Sequence, residues 1–139
     1  MSAPVFVDTA ALIALLSRDD TWHLRAREQF ALLARQRRDL LTTSAVMFEL
    51  LDGAAARGPL RAAAVRLSDS IRQSPQWNMV HVTADHMHAG EALYAGRMDK
   101  RWSLTDCTNM EIARAHDVVE VMSSDGDFEQ AGFAILLRA

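Results

Sequence analysis

Short apolar runs suited to buried strands alternate along this chain with stretches of helical period, and this alternation restricts its fold more than any other feature. Val5–Val7 reads as a first strand and Thr9–Leu16 as the helix that follows it. Trp22, Ala26, Phe30 and Leu33 recur at helical spacing, so a second helix runs to about Arg37. Leu40–Thr42 is a brief strand, and Ser44 is placed to cap a third helix that ends near Arg57-Gly58-Pro59. Leu60–Gln73 is a fourth helix, and Met79–Val82 is the next strand. Thr83 caps a helix reaching about Met98, Thr105–His116 is helical, and Val118–Met122 and Phe133–Leu137 are the last strands. Strands separated by helices predict a doubly wound, mainly parallel α/β sandwich, in which ligands bind beyond the carboxyl ends of the strands.

The 139 residues, half of them hydrophobic, suit a single domain over residues 1–139 with its own core. A net charge of −3 argues against a uniformly basic nucleic-acid footprint while leaving room for a local patch. Cys107 is the only cysteine, so neither an internal disulfide nor a cysteine-based zinc cage is available, which fits a reducing cytoplasm. No run approaches the ~18 apolar residues of a membrane span, and no secretory signal is expected.

Four acids stand where such a sheet would present a ligand. Asp8 ends the first strand in "VFVDTAALIALL". Glu49 interrupts an apolar helix in "TTSAVMFELLDGAAAR". Asp106 lies in the first turn of a helix in "WSLTDCTNMEIARA", and Asp125 follows the strand in "VVEVMSS". Each also has an ordinary structural reading: Asp8 as a helix N-cap, Asp106 in a capping box with Ser103, Asp125 in an Asx turn, Glu49 on a solvated face. Asp127, three residues before Gln130, reads as a plain helix cap. Taken together, carboxylates from separated segments project toward one end of the sheet. Two like charges ~4 Å apart repel by roughly 4 kcal/mol at an effective dielectric of ~20. Hard divalent cations relieve that repulsion, and oxygen ligands select Mg²⁺ or Mn²⁺. The chemistry favoured is metal-dependent phosphodiester hydrolysis.

"VFVDTAALIALL", "TTSAVMFELLDG" and "SLTDCTNMEIARAHDVVEVMSSDGDFEQAGF", in this order, resemble the PIN domain, especially the small VapC-type ribonucleases, over nearly the whole chain. The resemblance implies a three-layer α/β/α sandwich and Mg²⁺- or Mn²⁺-dependent cleavage of RNA. By position it makes Asp8, Glu49, Asp106 and Asp125 the metal ligands. It further implies homodimers and inhibition by a small antitoxin protein. The turn Asp125-Gly126-Asp127 departs from the family pattern, in which a basic or imidazole residue often stands at the position of Asp127. Asp125, closer to the strand, is the one expected to face the metal. The resemblance also suggests that the hydroxyls of Thr9 and Thr105 hold a ligand carboxylate or a water.

Lys100, Arg101 and Trp102 precede the Asp106 helix. The two cations suit a backbone phosphate, and the indole suits stacking on an unpaired base. His86 and His88, two apart on a helix, do not share a face and make a poor metal pair. Cys107 reads as a packing residue. A receiver-type phosphoacceptor would need a lysine near the last strands, and the only lysine is Lys100. A dehalogenase-like phosphatase would need an acid where Ala10 stands. The remaining rival is a non-catalytic PIN-like module that binds RNA or protein with the fold alone.

Overall fold

A computed structural model describes residues 3–138. The strands are β1 (Val5–Val7), β2 (Leu40–Thr43), β3 (Trp77–Val80), β4 (Glu120–Met122) and β5 (Ala134–Ile135). The helices are α1 (Thr9–Leu16), α2 (His23–Arg35), α3 (Ser44–Ala54), α4 (Gly58–Gln73), α5 (Ala84–Gly96), α6 (Leu104–Ala115) and α7 (Gly126–Gln130). All strand pairings are parallel, in the order β3-β2-β1-β4-β5. The chain therefore steps from β1 outward to β3, crosses back over the sheet to β4, and steps the other way to β5. Right-handed crossovers put α1–α4 on one face and α5 and α6 on the other. The three-layer α/β/α sandwich expected from the sequence is the fold observed.

The reversal of direction falls between β1 and β4, whose register pairs Phe6 with Val121 and Val7 with Met122. Apart from the partly buried Glu120, both strands are buried and apolar: Val5, Phe6, Val7, Val121 and Met122 have no exposed surface. Phe6 packs against Phe128 of α7, with ring centroids 5.8 Å apart, and so holds the short α7 beside the centre of the sheet. A crevice at the carboxyl ends of two strands that diverge in this way is the usual ligand position of an open parallel sheet.

Several boundaries differ from the sequence reading, for local reasons. β3 begins at Trp77 and stops at Val80, because pairing with β2 runs from Leu40↔Trp77 to Thr43↔Val80. The Val82 N–H then donates to the Ser44 hydroxyl at 2.8 Å instead of to a strand. Ser44 is thus the first residue of α3 and not its cap; that role falls to Thr43, whose hydroxyl accepts from the Val46 N–H at 3.2 Å. Gly58-Pro59 starts α4 with proline in the first turn, where a missing N–H costs nothing, and does not end α3. β5 is only two residues long. Between α5 and α6 the approach is close, since a Cβ built on Gly90 would stand 2.9 Å from the Thr108 Cα.

Candidate active site

Asp8 emerges directly from β1. Its N–H continues the ladder by donating to the Met122 carbonyl at 3.1 Å. Although Asp8 occupies the N-cap position of α1, its side chain makes no capping hydrogen bond. It turns inward instead, is 6% exposed, and accepts from the Ser123 hydroxyl at Oδ2, 3.0 Å away. Burial pushes its carboxyl up to about 7. The Thr9 backbone N–H and the Ser123 hydroxyl oppose that rise, and the negative charges of Asp106 and Glu49 add to it.

The other acids arrive from α3, α6 and the start of α7. Glu49 is reached across the crevice by Thr9, whose hydroxyl donates to Oε1 at 2.8 Å. Asp106 makes the capping box anticipated with Ser103: its N–H donates to the Ser103 hydroxyl at 3.0 Å, and its Oδ2 accepts from the Ser103 N–H at 3.2 Å. That duty does not remove it from the acid group. Burial, followed by the charges of Asp125 and Glu49, raises its carboxyl against the pull of Ser103.

At α7 the expected roles of the two aspartates change. Asp125, not Asp127, is the N-cap; its Oδ1 accepts from the Asp127 N–H at 2.9 Å. Asp127 lies in the first turn, and its carboxylate joins those of Asp106 and Asp125, with one oxygen of each inside a 4.8 Å span. Burial raises the Asp127 carboxyl, and the charges of Asp125 and Asp106 raise it further. The sequence suggests the cap for Asp127 and an Asx turn for Asp125. The outcome depends on which N–H reaches which carboxylate.

Five carboxylates from four segments thus influence one another, and none forms an ion pair among the described residues; the pairs found there involve Glu120, Asp69, Asp99, Glu111 and Glu129. The donor set is all oxygen, which fits a hard divalent cation and no thiolate or imidazole metal. His86 instead closes a capping box with Thr83. Cys107 is buried, and burial pushes its thiol up, away from nucleophilic use.

Ser123 had no part in the sequence reading. Fully buried, it accepts from the Asp125 N–H at 2.9 Å while donating to Asp8, and so joins two of the acids. Its only signal in the sequence is the serine pair ahead of Asp125.

The residues expected to meet substrate fare unevenly. Trp102 is 4% exposed, with the Arg97 guanidinium 5.2 Å and the Lys100 ammonium 5.8 Å from its ring centroid. The indole is a packing platform for these cations and is not open to a base. Arg101 is exposed beside a cleft that includes Tyr94 and Leu104. Thr105 lines a neighbouring cleft with Phe48 and Met87 and makes no hydrogen bond to an acid among the described residues.

The model of the PIN domain family matches residues 5–134. Among solved structures, VapC20 of Mycobacterium tuberculosis, described as a toxin that cleaves the sarcin–ricin loop, superposes with a TM-score of 0.81 at 27% identity, over 94% of this chain and 96% of its own. The VapBC2 structure from Rickettsia felis, bound to a promoter DNA fragment, gives 0.70 at 11% identity over 94% and 96% of the two chains. DNA-bound VapBC from Salmonella typhimurium gives 0.68 at 17% over 96% and 97%. These last two establish likeness of fold alone. No curated protein matches the chain by sequence.

Proposed function

The chain belongs to the PIN domain family, and on that premise we propose that it is a Mg²⁺- or Mn²⁺-dependent endoribonuclease, the toxin of a toxin–antitoxin pair, acting in the cytoplasm as one domain over residues 1–139. The observation that carries this reading is the convergence of Asp8, Glu49, Asp106, Asp125 and Asp127 on the crevice between β1 and β4, with no basic partner among the described residues. The likeness to a sarcin–ricin-loop-cleaving toxin supports RNA as substrate. Those to VapBC structures support a small antitoxin partner.

A divalent ion bound there supplies the Lewis acidity that phosphodiester hydrolysis needs. Asp8, Glu49, Asp106 and Asp125 hold it, and Asp127 adds charge to the same group. Thr9 holds the exposed Glu49 by one carboxylate oxygen. Lys100 and Arg101, ahead of α6, attract the RNA backbone, and Thr105 borders its path. The exposed Phe48, Met87 and Tyr94 flank the adjoining clefts and give a homodimer an apolar contact surface.

The test is cleavage of a structured ribosomal loop and of unpaired RNA by the purified protein. Cleavage with Mg²⁺ or Mn²⁺ that chelator abolishes, and that Asp8→Asn abolishes with the fold intact, is the expected result. RNA binding without cleavage under every ion tried would replace this reading with a binding module.

A further inference from the structure

Four of the acids share a detail that electrostatics alone does not require. Each has one carboxylate oxygen already committed to a donor of the protein. Asp8 Oδ2 accepts from the Ser123 hydroxyl at 3.0 Å, and Glu49 Oε1 from the Thr9 hydroxyl at 2.8 Å. Asp106 Oδ2 accepts from the Ser103 N–H at 3.2 Å, and Asp125 Oδ1 from the Asp127 N–H at 2.9 Å. The second oxygen of each receives no hydroxyl or cationic donor among the described residues. Ser123 accepts from the Asp125 N–H, and toward an ionised Asp8 carboxylate, which has only acceptors, its hydroxyl donates.

We infer that Ser123 and Thr9 are positioning residues that hold Asp8 and Glu49 to one ligand oxygen each, and thereby make the crevice discriminate between divalent ions. The inference rests on the reading above, that these acids hold such an ion. Mg²⁺ and Mn²⁺ are small and six-coordinate, and one oxygen per carboxylate suits them. Ca²⁺ is larger, takes about 6–8 oxygens, and often uses both oxygens of a carboxylate. A carboxylate pinned by a hydroxyl must break that hydrogen bond to swing round and offer both. Backbone N–H donors also bear on these acids, from Thr9 to Asp8, from Ser103 to Asp106 and from Asp127 to Asp125, and they are untouched by side-chain substitutions other than proline. The two hydroxyls can be deleted, and each belongs to a different strand–helix junction, so they test the idea separately. Ser123 is fully buried, whereas Thr9 is half-buried and Val has the same shape.

The experiment measures Mn²⁺ affinity of the intact protein by electron paramagnetic resonance, with Ca²⁺ as competitor, and follows folding by a melting curve in chelator. Wild type is expected to prefer Mn²⁺. Ser123→Ala is expected to lose about tenfold in Mn²⁺ affinity and much less in Ca²⁺ affinity, so that the preference narrows. Thr9→Val is expected to narrow it likewise, while Ser123→Thr, which keeps the hydroxyl, restores it. A merely structural role would lower both affinities by the same factor. Wild-type Mn²⁺ binding with an unchanged Mn²⁺-to-Ca²⁺ ratio in both Ser123→Ala and Thr9→Val would overturn this inference and leave the nuclease reading standing. Should Ser123→Ala fail to fold, Thr9→Val decides alone. Absence of any Mn²⁺ binding by wild type would overturn the reading beneath it as well.

Discussion

A carboxylate oxygen of Asp106 on α6 lies within 4.8 Å of one on Asp127 at the start of α7. Ionised together in a partly buried crevice, two such groups repel by about 3 kcal/mol at an effective dielectric of ~20. Helices that could have met through neutral side chains meet through charge. Asp8, deeper in the same crevice, shows the effect most plainly.

Folding lifts the Asp8 carboxyl from 3.8 to about 7. The folded chain therefore retains a proton that the unfolded chain releases above about pH 4, and stability is lost as pH rises from there to about 7. The gap corresponds to a penalty on the order of 4 kcal/mol above pH 7. Asp8→Asn keeps an acceptor for Ser123 and removes the charge. In chelator its melting temperature should exceed that of wild type by several degrees at pH 7.5, and the difference should vanish near pH 4. Mg²⁺ at pH 7.5 should stabilise wild type more than the variant. Equal melting temperatures at both pH values would show that Asp8 carries no such penalty.

Asp125 combines a cap with a place among the acids, and two substitutions separate the roles. Asp125→Asn retains an oxygen for the Asp127 N–H, so thermal stability should stay within about 0.5 kcal/mol of wild type while RNA cleavage falls by at least about a hundredfold. Asp125→Ala loses the cap too, and should cost about 1 kcal/mol in urea unfolding. Full cleavage by the Asn variant would remove Asp125 from the catalytic set.

Gly90 faces Thr108 where α5 and α6 touch. A methyl group there meets the Thr108 side chain and stands 2.9 Å from its Cα, so the helices must separate. Gly90→Ala should destabilise by about 1–3 kcal/mol despite the higher helix propensity of alanine. Because α6 carries Asp106, cleavage should fall along with the melting temperature. A variant as stable as wild type would mean that the two helices shift apart freely.

The strand–helix alternation was legible because each element announces itself locally, through apolar runs, caps and proline. Boundaries set by partners were not. Val82 leaves the sheet because Ser44 takes its N–H, a bond across 38 positions that no local pattern encodes. The acids could be picked out as misplaced charges and expected at one end of a parallel sheet, but which of them come within reach of one another depends on β4 lying beside β1, which follows from the order of the strands. Trp102 misled for a physical reason: a tryptophan among cations looks the same whether the cations cover its ring or line an RNA path, and here they cover it. Ser123 left almost no trace, since a buried serine matters only through what it touches.

The sheet order also has a consequence in time. A polypeptide leaving the ribosome carries Asp8 and Glu49 long before Asp125 and Asp127 exist, and the turn bearing those two follows β4, the strand paired with β1. On the proposed function, the growing chain therefore lacks the full set of acids for most of its synthesis. On the same reading, a partner that holds the completed molecule in check has nothing to restrain until the last strands have been made.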